Sequence, residues 1–257
     1  MGKLRVIVII LMVLVFLTGI GVMLYPSIYG AFVDHQIQQT AGEFLDRQHT
    51  RPTRSDPSDP TAETDPECTE QTPSRRIYPL LWADMVTYNE QIFLNGQEGL
   101  SCEYAYEKPS FDLTDYGLSD EIFGVIRIPE LSLEMPVYLG ATNSHMAAGA
   151  AHLSQTSLPI GGMNTNTIIA GHRGYGGASY FRYINELEAG DRVYLTNIWE
   201  TLTYEVVETK IIMPNEVKEI HIQEGRELLT LLTCHPYASG GKQRLLVICE
   251  RVYETEE

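Results

Sequence analysis

The sequence predicts a mainly β protein, built on a closed or nearly closed β-barrel of about eight strands with short helices, an N-terminal helical cap and a membrane anchor. From residue 122 onwards the hydrophobic period changes to two, in short β-rich runs separated by turn signals. Few long helical stretches lie between these runs, which favours a barrel and leaves a β-sandwich as the alternative. The runs are IFGVIRI, LEMPVYLG, NTIIAGH, DRVYLTN, TYEVVETKII, LLTLLTCH and QRLLVICERVY.

Composition excludes several classes of function. The 257 residues include 18 Lys and Arg against 34 Asp and Glu, a formal net charge of −16. This charge argues against a nucleic-acid partner, because such proteins cluster basic residues to neutralise phosphates. Four cysteines are too few for a disulfide scaffold, and no C-x-x-C pair offers a zinc knuckle. Any chemistry must therefore come from individual side chains.

The N-terminus carries a segment able to cross a membrane. Residues 6–24 read VIVIILMVLVFLTGIGVML and contain no charge. As a helix they would measure about 28 Å, close to the thickness of a bilayer's hydrocarbon core. A cleaved signal peptide is the alternative, but no A-x-A site follows. We therefore predict a signal anchor over residues 1–26, and Lys3 and Arg5 leave its N-terminus in the cytoplasm and the rest outside.

Two segments separate the anchor from the barrel. Residues 27–76 are predicted to form a stalk and a flexible linker. Within them, residues 27–48 allow a polar helix whose apolar residues look too scattered for a packed face, and residues 49–76 are rich in Pro, Thr, Asp and Glu. Residues 77–118 are predicted to hold an amphipathic helix that packs on the barrel, and residues 119–257 the barrel itself. The apolar positions of that helix follow helical spacing after Pro79: Leu81, Met85, Tyr88 and Ile92.

Three residues at predicted strand ends are candidates for chemistry. His172 ends an apolar strand where a Gly-rich loop begins, in NTIIAGHRGYGG, and Cys234 ends the strand ELLTLLTCH before a proline. Arg244 enters the next strand after a Gly-Gly turn. A surface histidine, a buried thiol and a solvated arginine are the ordinary interpretations. If the strands flanking residues 238–242 pair as a hairpin, however, Cys234 and Arg244 lie near the same rim.

These residue types suit nucleophilic catalysis. A thiolate, not a thiol, is the nucleophile, and an ordinary thiol with a pKa of about 8.5 is mostly protonated at neutral pH. Nearby cations therefore favour the reactive form. A histidine transfers protons, whereas an arginine stays protonated and stabilises a developing oxyanion.

Motifs around these residues resemble those of a known family. TLLTCHPY, followed by the Arg of RLLV and preceded by AGHRG, resembles the signature of sortases, the membrane-anchored cysteine transpeptidases of Gram-positive bacteria. The wider runs FGVIRIPELSLEMPVYLGA, GAAHLSQTSLPIGGMNTNTIIAGHRG and LEAGDRVYLTN are most similar to the pilin-polymerising class C sortases. The resemblance covers about Tyr78 to Val252.

The resemblance implies a sortase-type barrel in which His172 is the catalytic histidine, Cys234 the nucleophile and Arg244 the group that stabilises the oxyanion or positions the substrate. The implied partners are pilin or surface proteins with a C-terminal Leu-Pro-x-Thr-Gly-like sorting signal. The implied acceptor amine is a pilin Lys or, for a cell-wall-anchoring enzyme, a peptidoglycan precursor. No cofactor or metal is implied. A non-catalytic surface domain that binds a protein partner is the alternative from another class.

Several features depart from the family's pattern or stay open. His235 follows the cysteine where the family has a small hydroxyl residue; it is a rival base, although alternation directs it away from the thiol. A zinc site made of His152, His172 and Cys234 matches no compact ligand spacing. The residue at Asn166 also departs from the family.

The resemblance also implies a lid within residues 77–118, and its sequence differs from the family's. The stretch EGLSCEYAYEKPSFDL lacks the Asp-Pro-aromatic plug of class C enzymes, which leaves Cys102, Tyr104 or Tyr106 as the inserted group. Cys68 and Cys102 are candidates for a disulfide that clamps the linker to the lid, and Cys249 is predicted to be a packed thiol.

Overall fold

The computed structural model describes residues 2–50, 77–101, 106, 108–118 and 121–253. Its helices are α1 (Gly2–Thr50), α2 (Pro79–Leu94) and α3 (Asn143–Ala148). Its strands are β1 (Ile122–Ile128), β2 (Leu133–Leu139), β3 (Ala150–His152), β4 (Thr165–Ala170), β5 (Arg192–Asn197), β6 (Thr201–Ile212), β7 (Glu227–His235) and β8 (Gln243–Arg251).

The eight strands close into a barrel in the order β1-β2-β3-β4-β7-β8-β6-β5, with β5 returning to β1. The pairs β2–β3 and β4–β7 are parallel, and the other pairs are antiparallel. The predicted barrel is thus confirmed, and the sandwich is excluded. Seven strands match the predicted runs, while the short β3 lies in a stretch that was not predicted as a strand.

Alternation along β7 and β8 separates the inside of the barrel from its outer face. Leu229, Leu231, Leu245, Val247 and Cys249 belong to the interior cluster, which every long strand of the barrel joins. Cys249 is fully buried, as predicted, and its burial raises the pKa of its thiol. The alternate residues form a second cluster on the outer face of β4, β7 and β8: Ile168, Ala170, Leu228, Leu232, Leu246 and Ile248. We call this second set the outer-face cluster.

Helix α2 packs on another part of the barrel. Pro79 stands in its first turn, as predicted, and Leu81, Met85 and Ile92 are buried. The polar residue Asn89 is buried on the same stripe because its side chain bonds both polar backbone groups of Leu158, accepting from the N–H at 2.7 Å and donating to the carbonyl at 3.3 Å.

Helix α1 is continuous from Gly2 to Thr50. Its first half is apolar and exposed, and among the described residues it is the one helix long and apolar enough to cross a membrane. Its second half packs on the barrel, which differs from the predicted stalk without a packed face. Ala41 and Phe44 are buried against a cluster that includes Val125 of β1 and Tyr138 of β2.

Candidate active site

Cys234 and Arg244 face each other across two strands. They are direct partners in the antiparallel pair β7–β8, so their side chains leave the same face of the sheet. A Cβ built on Gly241 would lie 3.3 Å from Cys234 Sγ and 3.2 Å from Arg244 Nη1, so both atoms border one small space. Gly241 has a φ of +77° and closes the loop before β8 without filling that space.

His172 lies at the same rim on the other side of Cys234. In the parallel pair β4–β7, Ala170 is level with Leu232, and the Gly171 N–H still donates to the Leu232 carbonyl at 3.0 Å. Continuing this register places His172 level with Cys234, one strand spacing of about 4.8 Å away. The three predicted residues therefore lie in a row at one end of β4, β7 and β8, with His172 two residues past the end of β4.

The imidazole of His172 is held by two aromatic rings. Tyr175 stacks on it with ring centroids 4.8 Å apart, and Tyr180 meets it edge-on at 5.6 Å. The Phe181 N–H donates to the His172 carbonyl at 2.9 Å and folds the loop back on itself. Burial lowers the pKa of His172, because desolvation disfavours the imidazolium. The ring is thus largely neutral at pH 7.

A second guanidinium, which the sequence analysis did not single out, lies next to this row. Arg173 Nη1 donates to His235 Nδ1 at 2.7 Å, and Arg173 Nη2 donates to Asn185 Oδ1 at 2.7 Å. Burial lowers the pKa of Arg173, and the charge of Cys234 raises it. The available signal was its position beside His172 in AGHRG.

His235 does not meet the requirements of the rival base. Its Nδ1 faces a guanidinium that cannot accept a proton, so this nitrogen is an acceptor and the ring proton sits on Nε2. Burial and the charge of Arg173 lower the pKa of His235. The ring orients Arg173 instead.

Asn166 ties the loop before β7 to the barrel. Its side-chain amide donates to the carbonyls of Ile220 and His221, at 3.1 and 3.3 Å, and its side-chain oxygen accepts from Thr230 Oγ1 at 2.9 Å. The residue is buried on β4, and the loop it holds borders the outer-face cluster through Ile220. Asn166 therefore fixes one wall of the surface that leads to Cys234.

The described part of the predicted lid rests on the same surface. Leu100 is fully buried in the outer-face cluster, and Tyr106 packs beside it and donates from its hydroxyl to the Leu100 carbonyl at 2.8 Å. The Gln97 side chain accepts from the Ile222 N–H at 2.6 Å. The other two predicted inserted groups, Cys102 and Tyr104, lie outside the described residues, as does the predicted disulfide between Cys68 and Cys102.

The zinc hypothesis gains no support from this arrangement. His152 is fully buried on β3, where its Nε2 lies 3.0 Å from the Ser157 carbonyl. Within the part of the chain that the structure describes, no group of three His, Cys, Asp or Glu residues is arranged to hold a metal ion.

Comparisons with known proteins agree with this fold. A family model of the sortase domain matches residues 126–252. Sortase D of Bacillus subtilis (strain 168) is 30% identical over 131 residues, which are 50% of this chain and 63% of that protein. The chain spans between 47% and 63% of the curated relatives that it matches.

Solved structures extend the likeness to about 70% of the chain. Sortase C1 of the pilus island 1 of group B Streptococcus matches with a TM-score of 0.61 at 28% identity, covering 70% of this chain and 90% of that one. Sortase C-1 of Actinomyces oris matches with a TM-score of 0.58 at 32% identity, covering 69% of this chain and all of that one (100%). The chain belongs to the sortase family, as the resemblance predicted, and its structural neighbours are class C members.

Proposed function

We propose that this chain is a membrane-anchored cysteine transpeptidase that cleaves a Leu-Pro-x-Thr-Gly-like sorting signal and joins the acyl product to an amine, most readily a pilin Lys. The observation that carries the proposal is a row at one end of three neighbouring strands, in which Cys234 pairs with Arg244 and His172 follows the end of β4. It stands at the end of an apolar surface that suits an extended peptide.

The proposed reaction begins at the thiol. The Cys234 thiolate attacks the carbonyl carbon of the Thr–Gly bond, and Arg244 stabilises the negative charge that develops on the carbonyl oxygen. His172, which takes up the proton of the Cys234 thiol, gives this proton to the leaving amine, the C–N bond breaks and a thioester to Cys234 remains. Peptide binding requires displacement of the lid, because Leu100 and Tyr106 occupy the outer-face cluster.

The second half of the reaction restores the enzyme. An acceptor amine attacks the thioester carbonyl, a new amide bond forms, and the thiolate of Cys234 leaves. His172 takes up the proton that the amine loses. Arg173 supplies a further positive charge beside the thiolate, and His235 and Asn185 hold it in place.

The assignment of a pilin acceptor rests on similarity. The two solved structures described above are named sortase C1 and sortase C-1, and the first comes from a pilus island. The apolar half of α1 serves as the proposed anchor of residues 1–26, with Lys3 and Arg5 on the cytoplasmic side and the catalytic domain outside. The proposed lid lies within residues 77–118.

A thiol-directed label tests the catalytic part of the proposal. The full chain in detergent micelles is treated with a sorting-signal peptide that carries a thiol-reactive group, and the adduct is located by mass spectrometry. Cys234→Ala should abolish labelling, whereas the matched variant Cys249→Ala should keep it. Labelling that is absent from the folded wild-type protein at every pH would instead favour a non-catalytic binding domain.

The acceptor is tested separately. The enzyme is incubated with a pilin subunit that carries both a sorting signal and its lysines, together with a peptidoglycan-like amine. Ladders of covalent multimers support polymerisation. Monomers joined only to the small amine contradict it and indicate a cell-wall-anchoring sortase.

A further inference from the structure

The second half of α1 contacts the loop that follows the candidate catalytic histidine. A Cβ on Gly30 would overlap the Gly177 carbonyl, and a Cβ on Gly177 would overlap the Pro26 carbonyl. One turn further along the helix, the Asp34 carboxylate accepts from the Ser179 N–H at 2.9 Å and from its hydroxyl at 3.1 Å. The helix and this loop are therefore in backbone-to-backbone contact just beyond the end of the apolar segment.

The order of contacts along α1 orients the barrel relative to that segment. At 1.5 Å per residue, Asp34 lies about 15 Å beyond Leu24 and Phe44 about 30 Å beyond it. The loop after His172 contacts the nearer part of the helix, whereas β1 and β2 contact the part around Phe44. The rim that carries Cys234 is thus the side of the barrel nearest to the end of the apolar segment.

This rim differs in charge from the rest of the chain. The two loops that frame the site, residues 172–183 and 234–244, contain four Lys and Arg residues and no Asp or Glu. The whole chain has nearly twice as many acidic residues as basic ones. A local excess of positive charge in an acidic protein indicates an anionic partner at this place.

The same loops expose aromatic side chains. Tyr175, Tyr183 and Tyr237 are 60%, 45% and 51% exposed. The Arg182 guanidinium lies 4.7 Å from the centre of the Tyr237 ring and donates to its hydroxyl at 2.6 Å. These four residues and the exposed Lys242 form what we call the rim patch.

Tyrosines beside arginines and lysines are typical of surfaces at the boundary between a bilayer and water. Tyr rings place an apolar body in the headgroup region and a hydroxyl in water, and Lys and Arg are attracted to anionic lipids. The rim patch is continuous with the end of the apolar helix through the Gly30–Gly177 contact.

We propose that the rim patch rests on the anionic phospholipid headgroups next to the anchor, so that the active site opens at the bilayer surface. The inference depends on the membrane anchor of the proposed function. It goes beyond that anchor because it assigns a second, peripheral contact to the catalytic domain. A site in this position favours sorting signals and acceptors that are themselves held at the membrane.

Fluorescence quenching by lipids tests the contact. The full chain carrying Tyr175→Trp is reconstituted in vesicles of equal parts phosphatidylcholine and phosphatidylglycerol, with bromine on the upper acyl chain. The added tryptophan should lose about half of its emission, as expected for an interfacial side chain. The wild-type protein, which contains Trp82 and Trp199, gives the baseline. Tyr237→Trp is a second probe, independent of the ring that stacks on His172.

Tyr253→Trp is the matched control. Tyr253 is 64% exposed and donates to Glu227 at the opposite end of β7, so its replacement should not be quenched. The double variant Arg182→Gln and Lys242→Gln should lower the quenching of the rim probes to the level seen in pure phosphatidylcholine. Quenching that is equal for the rim and control probes, or that ignores lipid charge, overturns the proposal.

Co-flotation and thioester formation separate the possible failures. A chain that floats with the vesicles but shows no quenching at either rim probe keeps its anchor and refutes the rim contact. A chain that does not float with the vesicles refutes both the anchor and the rim contact. Thioester formation with a soluble peptide, measured on the same samples, reports the catalytic proposal independently of either result.

Discussion

Arg173 places a second permanent charge at the strand ends, where it contacts His235, the residue that follows Cys234. Two of its N–H groups are held by His235 and Asn185, while its buried Nε has no hydrogen-bond partner among the described residues. Since an arginine stays protonated, it keeps its positive charge at every physiological pH. The hydrogen bond to Arg173 thus gives a structural reason for the histidine at position 235, where the family's pattern has a small hydroxyl residue.

We predict that Arg173→Gln slows the alkylation of Cys234 at neutral pH severalfold, because the variant lacks a positive charge that attracts a negatively charged nucleophile. Arg173→Lys should recover part of the rate because it keeps the charge. Arg127→Gln on β1 removes the same charge far from the site and is the control. The rates are measured with iodoacetamide as a function of pH and by mass spectrometry of the Cys234 peptide. A pH profile identical to that of the wild type would remove the electrostatic role.

The protonation of His172 depends on its two tyrosines. Burial lowers the pKa of His172 below the ordinary value of 6.5, so the neutral ring should dominate at pH 7. Tyr175→Ala exposes the imidazole and should raise the midpoint towards 6.5, because water stabilises the charged form. NMR titration of the ring in the Cys234→Ala protein measures the midpoint. Tyr183→Ala, which removes an exposed tyrosine of the same loop, should leave it unchanged; equal shifts in both variants would contradict this explanation.

Strands that alternate between two distinct faces could be predicted from the sequence, whereas the short strand β3 could not. β7 and β8 alternate between the interior and outer-face clusters, and their residues carry a clear period of two. β3 has only three residues, all buried, and it pairs with β2 in parallel. No alternation can develop over so short a segment, so the sequence offers no signal for it.

The packed half of α1 was missed for a different reason. Gly30, Ile37, Ala41 and Phe44 are the buried residues of this helix, and their spacing of seven, four and three residues follows one helical face. Gly and Ala do not count as large apolar residues, so the face looked scattered. Small residues allow a close approach instead, and that approach brings the helix onto the loop after His172.

Two glycines of α1 provide a matched pair of variants. Gly30→Ala would push a methyl group into the Gly177 backbone and should cost about 1–3 kcal/mol, with lower activity on a soluble peptide. Gly42→Ala meets no atom within 4 Å and should stabilise the protein by up to about 1 kcal/mol, the ordinary preference of a helix for Ala. Thermal unfolding and peptide cleavage by the full chain in micelles measure both effects. If the two variants behave alike, α1 does not support the loop.

The site as a whole depends on barrel closure, which a local pattern does not specify. The strand-end positions of His172, Cys234 and Arg244 were predictable from the runs and turns around them. Their order in a row requires the parallel pairing of β4 with β7, which places two strands that are distant in sequence side by side. The contact of Arg173 with His235 arises from the same pairing and is invisible in the sequence.

Closure of the barrel also buries His152, and burial disfavours the charged form of its ring. His152 on β3 is fully buried; its Nε2 lies within 3.0 Å of the Ser157 carbonyl and 3.1 Å of Thr156 Oγ1, and its Nδ1 has no partner among the described residues. Burial lowers the pKa of His152 from 6.5 to about 4. The neutral ring, with its proton on Nε2, is therefore part of the folded structure.

His152 should make the whole fold sensitive to acid. Below pH 6.5 the His152 ring of the unfolded chain binds a proton, whereas the ring of the folded chain stays neutral down to about pH 4. The free energy of unfolding therefore falls as the pH drops through this window. The loss should reach about 3 kcal/mol at the acid end. Urea unfolding of the full chain in micelles should show a shallower pH dependence for His152→Gln, which keeps a donor for Ser157, than for the wild type. The same substitution at the exposed His49 is the control. If the free energy of unfolding depends on pH in the same way in His152→Gln as in the wild type, other groups cause the acid sensitivity.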